Sequence, residues 1–243
     1  MSLDRRQFIA IGGAAVAGMT LAPGLRLMEL AEARSPEESV TTLQRWGLLI
    51  DTTKCATGCT SCVDACHTEN GVQSHNRPAT DPQWIRKVTL KDKQTGYVQN
   101  LPLMCQHCEH PPCVDVCPTG ASFKRADGIV LVDRHICIGC RYCMMACPYK
   151  ARSFVHEDTT GQKPHAPRGK GCVESCTLCV HKIDKGENTT ACAEACRKEG
   201  HNAIIFGDLK DPKSEISKRL AAQASQQLRP DLKLNNGVRY QGL

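Results

Sequence analysis

Aromatic residues are scarce: Phe, Trp and Tyr together make up 4% of the 243 residues. A large aromatic core is therefore excluded, and something other than side-chain burial must supply much of the cohesion. Apart from a mild apolar segment near the N-terminus, no stretch approaches the roughly 18 apolar residues of a membrane span, so the processed chain is expected to be water-soluble. No Gly-rich loop follows a strand pattern to cradle phosphate, and no nucleophile–base pair stands out. No nucleotide site or substrate pocket is visible as a result. C-x2-C-H is missing as well, so covalent c-type haem on this chain is not expected.

What the chain has is cysteine, seventeen in all. Cys137, Cys140, Cys143 and Cys147-Pro148 form the C-x2-C-x2-C-x3-C-P run of bacterial iron–sulfur proteins. Three thiolates come from one tight loop. The fourth sits about a helical turn further on and ligates the other cluster of a pair, so one run demands another. Cys105, Cys108, Cys113 and Cys117-Pro118 supply it, with Pro111-Pro112 in a wider middle gap. A further run, Cys55, Cys59, Cys62 and Cys66, carries one extra residue in its first gap, where Gly58 lets the loop bulge. Cys55 is its least secure ligand. The last set is Cys176, Cys179, Cys192 and Cys196, with a long gap holding Gly186.

Adjacency and the exchange rule pair these runs. Cys105, Cys108, Cys113 and Cys147 would hold one 4Fe–4S cluster, and Cys137, Cys140, Cys143 and Cys117 its neighbour. Cys55, Cys59, Cys62 and Cys196 would hold a third, and Cys176, Cys179, Cys192 and Cys66 a fourth. Cys172 is left as a spare, although its gap to Cys176 copies that from Cys55 to Cys59. Zinc suits isolated C-x2-C pairs but not runs of four within eleven residues. A disulfide framework fails on the odd total and on local crowding. Four clusters, each about −2 with its thiolates, would bring the formal charge of +6 to about −2. The basic balance then compensates clusters and does not imply nucleic acid. His107, His110 and His135 lie beside ligand cysteines and read as hydrogen-bonding or packing groups that tune potential.

The order of the chain completes the reading. Arg5-Arg6 followed by Phe8-Ile9 looks like the twin-arginine export signal, with Asp4 where Ser or Thr is usual. An apolar segment, Ile9 to Leu21, and an Ala31-Glu32-Ala33 cleavage site follow, so the mature chain is expected to start at Arg34 in the periplasm. An N-terminal amphipathic helix is the plainer alternative. Export of a folded protein lets thiols take up iron in the reducing cytoplasm. Residues 1–33 thus read as signal peptide, 34–208 as a four-cluster domain and 209–243 as a C-terminal helix and wrapping tail. The fold class is α+β: two bacterial-ferredoxin-like two-cluster halves, loop-rich and stapled by clusters, with inserted loops and a hairpin. A strand is expected over Arg45–Thr52, a hairpin over Trp84–Leu90 and Tyr97–Leu103, and another around Asp127-Gly128. Short strands are expected at Ala151–His156 and Asn202–Phe206, an exposed loop over Glu157–Gly171, and a helix from Asp211-Pro212 to about Gln227. The loop and the irregular tail are candidate docking segments.

Four cysteine sets in this order, over about Gly47 to Phe206, resemble the four-cluster ferredoxin-like subunits of bacterial membrane redox complexes. SFKRADGIVLVDRHICIGCRYCMMACPYKARSFVHE and CTLCVHKIDKG, together with the export signal, look most like the periplasmic member that serves dissimilatory sulfur metabolism. The departures are the extra residue after Cys55, the extra Cys172, and Arg197 where Pro often follows the last cysteine. The resemblance implies an integral membrane quinone-interacting subunit and a multihaem cytochrome c as partners, with membrane association through partners only. It implies single-electron transfer with no active site on this chain. The alternative is the electron-transfer subunit of a molybdopterin-dependent reductase, such as one for tetrathionate or polysulfide. A stand-alone metalloenzyme is disfavoured by the lack of a substrate-binding constellation.

Overall fold

A computed structural model describes residues 39–243. The export signal expected over residues 1–33 lies outside them. In chain order the first half contains β1 (Trp46–Asp51), α1 (Ser61–Asn70), β2 (Ile85–Lys91), β3 (Val98–Met104), α2 (Pro112–Asp115), β4 (Ser122–Lys124) and β5 (Val130–Val132). Then follow α3 (Tyr142–Ala146), β6 (Ser153–Phe154), β7 (Val173–Glu174), α4 (Val180–Asp184), α5 (Ala191–Lys198), β8 (Ile204–Asp208), α6 (Glu215–Ala222) and β9 (Val238–Gln241). The mixture of small sheets and short helices around cysteine loops is that of a ferredoxin-like α+β fold.

β1 reads WGLLID and every one of its residues is buried. The apolar run from Trp46 to Ile50 suits a strand covered on both faces. It is the centre of a three-stranded sheet in the order β8-β1-β9. β8 runs antiparallel to it, with Ile50 opposite Ile204, and β9 runs parallel, with Leu48 opposite Val238. Trp46 stacks on Phe206 at 5.2 Å between ring centroids, one of the few aromatic contacts the composition allows. Gly47 is required where the tail crosses, because a Cβ there would lie 2.3 Å from the Gly237 carbonyl oxygen.

Helix packing divides the body as the cysteine runs do. α1 from the first run packs on α5 from the last, and α2 packs on α3. β2 and β3 form the inserted hairpin, in register from Ile85–Met104 to Lys91–Val98. It folds over the first cysteine loop, where the Lys87 ammonium donates to the carbonyls of Ala56 and Cys59.

Three expectations change. The segment 157–171 is not simply an exposed loop. Its Arg168 is buried with Glu174, donating from Nε at 2.9 Å and from Nη2 at 2.7 Å to the two carboxylate oxygens. Nη1 donates to the Gly71 carbonyl at 2.7 Å, so the polar sequence serves a bidentate ion pair that anchors the loop to the end of α1. The expected helix over 211–227 is shorter. Ser214 caps it by accepting from the Ser217 N–H, and Gln223 is already extended. The tail is not irregular: Val238 and Tyr240 are fully buried in β9. Four residues are too few for alternation to announce a strand, and β1 supplies the pairing partner.

Candidate metal centres

Each cysteine run begins with a loop that turns through left-handed backbone. The residue just before the second cysteine has positive φ in all four: Gly58 (79°), His107 (43°), Gly139 (71°) and Leu178 (55°). Such turns curl successive N–H groups toward a common centre and make anion-binding concavities. The extra residue of the first run is therefore absorbed before Gly58. At Gly139 a side chain is also barred sterically, since a Cβ would lie 2.2 Å from the Gly171 carbonyl oxygen. Leu178 holds a conformation that costs a bulky residue about 1–3 kcal/mol, offset by its full burial. His107 is buried and its Nδ1 accepts the Val130 N–H at 3.1 Å. Burial and the nearby Arg152 charge hold its pKa down to about 3, so it stays a neutral acceptor.

The later cysteines of each run sit on or beside the short helices. Cys62 and Cys66 lie on α1, Cys113 on α2, Cys143 on α3 with Cys147 as its C-cap, and Cys192 and Cys196 on α5. The result is four groups of thiols. Cys55, Cys59, Cys62 and Cys196 line one cavity. Cys117, Cys137, Cys140 and Cys143 line a second. Cys108 feels Cys105, Cys113 and Cys147, and Cys66 feels Cys176, Cys192 and Cys179, as the other two groups. Cys172 joins none. Its thiol donates to the Arg134 carbonyl at 3.3 Å beside Cys137.

Backbone N–H groups point at several of these sulfurs: Ala203 at Cys196 (3.2 Å), Ser122 at Cys117 (3.3 Å), Ala191 at Cys179 (3.4 Å) and Val173 at Cys137 (3.5 Å). Burial nevertheless pushes the thiols up, Cys62, Cys105 and Cys179 each to about 12, and neighbouring cysteines push the same way. Buried thiols gathered in fours can ionise together only around a compensating cation. Their spacing says which kind. Among the described residues no three cysteine sulfurs lie within 4.8 Å of one another. A tetrahedral zinc with Zn–S of about 2.3 Å needs sulfurs about 3.8 Å apart. The groups are too wide for one zinc ion, and all seventeen cysteines are free of disulfides. An all-sulfur donor set of this width fits a multi-iron cluster.

Arg152 was not singled out by the sequence. It is 5% exposed, and its Nη2 donates to Cys113 Sγ at 3.1 Å. Nε and Nη1 have no partner. Burial works against its charge, but Cys113, Cys105 and Cys143 more than offset that and hold its pKa up. A cation thus sits between two thiol groups.

Proteins of similar sequence carry the same chemistry. Residues 96–208 match the family described as 4Fe-4S dicluster domain. The Hdr-like menaquinol oxidoreductase iron-sulfur subunit 1 of Archaeoglobus fulgidus is 45% identical, over 98% of this chain and 97% of its own length. A tetrathionate reductase subunit of Salmonella typhimurium is 38% identical over 100% of this chain and 90% of its own. Protein NrfC of Escherichia coli is 38% identical over 72% and 71%. Among the described residues no helix is long and apolar enough to cross a membrane. The chain belongs to the ferredoxin-like iron–sulfur subunits that carry 4Fe–4S clusters and transfer electrons within oxidoreductase complexes, with no active site of their own.

Proposed function

We propose that the sixteen grouped cysteines hold four 4Fe–4S clusters in a single file and that the chain is a wire between two docking surfaces. The clusters would each accept and release one electron. The observation that carries this reading is the order and exposure of the groups. Cys62 of the first group feels Cys192 of the fourth-run group, Cys176 of that group feels Cys105, and Cys143 of the last group feels Cys113. The two interior groups are wholly buried, whereas the end groups reach the surface through Cys55 and Cys59 at one end and Cys140 at the other. Around Cys140 stand Ile138, Tyr142 and Met145, 67%, 55% and 66% exposed. This is a place for a partner to exclude water next to a terminal cluster. The loop 157–171 and the tail are less suited to docking, because both are tied into the body.

The experiment is substitution of Cys147. It lies in the third run but groups with Cys105, Cys108 and Cys113. Cys147→Ser should lower iron from about sixteen to about twelve per chain and remove the spectroscopic signal of an interior cluster. Loss of the solvent-exposed cluster at Cys137–Cys143 instead would break the assignment.

The finer reading is the periplasmic subunit DsrO of a DsrMKJOP-type complex in dissimilatory sulfur metabolism. There the wire would join a quinone-interacting membrane subunit to a multihaem cytochrome c. The full-length match to a menaquinol oxidoreductase subunit supports it. The match to the tetrathionate reductase subunit supports the second reading, a chain feeding electrons to a molybdopterin-dependent reductase. Purification of the native complex separates them, by haem and a quinone-reactive subunit in one case and by molybdopterin in the other. The periplasmic location rests on Arg5 and Arg6. Changing both to Lys should leave uncleaved, cluster-loaded precursor in the cytoplasm, and normal processing would remove that part of the reading.

Arg152 gives the wire a tuned step. A positive charge beside Cys113 and near Cys143 stabilises the reduced state of both adjoining clusters. At about 4 Å and an effective dielectric near 20 the interaction is worth roughly 4 kcal/mol. Screening by the rest of the site reduces this, and a drop in midpoint potential on the order of 100 mV is expected for Arg152→Gln. A redox titration followed by electron paramagnetic resonance measures it. Unchanged potentials would reduce the residue to packing.

A further inference from the structure

Among the described residues outside the cysteine groups, one cluster of ligand-type side chains stands apart. Glu69, His165 and His181 each offer one ligand atom, and these three atoms lie within 4.8 Å of one another. We propose that these three residues form a mononuclear site for a divalent transition-metal ion of the zinc class, separate from the iron sites.

The geometry is close to what such an ion needs. His181 Nε2 lies 2.8 Å from Glu69 Oε1 and His165 Nε2 lies 3.9 Å from it. A tetrahedral ion with bonds of about 2.0–2.1 Å wants ligand atoms about 3.3 Å apart, between these two values. The imidazoles stack at 3.8 Å between centroids, so they would fan apart for both Nε2 lone pairs to meet at one ion. Without metal, His181 donates to Glu69 Oε1 and His165 lies 3.0 Å from the Glu69 carbonyl oxygen. A cation would take both imidazole lone pairs in place of those protons. Two neutral imidazoles and one carboxylate carry −1, and Glu69 and His165 are partly exposed, leaving room for a water as fourth ligand. Nitrogen and oxygen donors in this ratio suit Zn2+ among abundant ions; Mg2+ and Ca2+ prefer oxygen alone.

The position gives the site a task. Glu69 lies near the end of α1, three residues after Cys66, and His181 is on α4, two residues after Cys179. Both belong to one buried cysteine group, and His165 comes from the segment 157–171. An ion here would staple that segment over the group, adding to the Arg168–Glu174 pair. The three residues are up to 112 positions apart, so no local spacing in the sequence reveals them. Such an ion would bind whether or not the clusters pass electrons in file.

The test uses the iron-loaded protein, dialysed anaerobically against zinc chloride, with both metals counted by mass spectrometry. One zinc per chain is expected with iron unchanged. His165→Ala and Glu69→Gln should each lose it while keeping their iron, and the exposed-loop control His75→Ala should retain it. Zinc-edge X-ray absorption of the unaltered protein should show only nitrogen and oxygen neighbours near 2.0–2.1 Å. The proposal is overturned if no zinc binds, if zinc survives both substitutions, or if sulfur appears at about 2.3 Å, which would mean zinc displacing iron.

Discussion

Stripping iron with a chelator is expected to abolish cooperative unfolding and leave a chain without fixed tertiary packing. Nine cysteines, among them Cys62, Cys105, Cys147 and Cys192, belong to the buried core itself. With aromatics at 4%, little else could bridge the short helices. Structural metal sites contribute their binding energy as folding energy, on the order of 10 kcal/mol for a single zinc site, against a typical domain stability of about 5–15 kcal/mol. Four such centres therefore exceed the whole margin. Calorimetry and amide hydrogen exchange on holo and stripped protein check this. A stripped chain that still melts in one sharp transition would show that the apolar core suffices.

Ending the chain at Asn236 is the second large change, and the expected result is failure to accumulate folded protein. It removes β9, so β1 loses its parallel neighbour and becomes an edge strand. It also removes the wholly buried Val238 and Tyr240 side chains, each worth about 1.5–3 kcal/mol. The Tyr240 hydroxyl donates to the Pro102 carbonyl at 3.1 Å and accepts from Gln106 at 3.2 Å, so the second run's approach loses its support too. A total near 5 kcal/mol or more rivals the net stability of a small domain. Thermal denaturation of the truncated protein measures it, with removal of Gly242 and Leu243 alone as the comparison. A truncated chain of near-normal melting temperature would mean that β9 merely decorates the sheet.

What the sequence made legible was local. WGLLID announced β1 because it is apolar from Trp46 to Ile50, and Asp127-Gly128 announced the β4–β5 hairpin because a tight turn needs those residues. The cysteine spacings set out the loops because the thiols of each loop are neighbours in the chain. What stayed hidden depends on partners far away. VRYQ becomes a strand only because β1 offers an edge. Arg168 looked like part of a solvated loop until Glu174 was folded beneath it. Arg152 is one arginine among many until burial and three cysteines surround it. The pair His165 and His181 carries no spacing signature at all.

The parallel pairing of β1 with β9 bears on biosynthesis. The Thr52 hydroxyl donates to the Gln241 carbonyl across 189 positions, so the sheet around the central strand cannot be completed until Gln241 has left the ribosome. Contacts of such separation are slow to form. Any product that stops short of Val238 therefore lacks the closing strand, whatever metal it has bound.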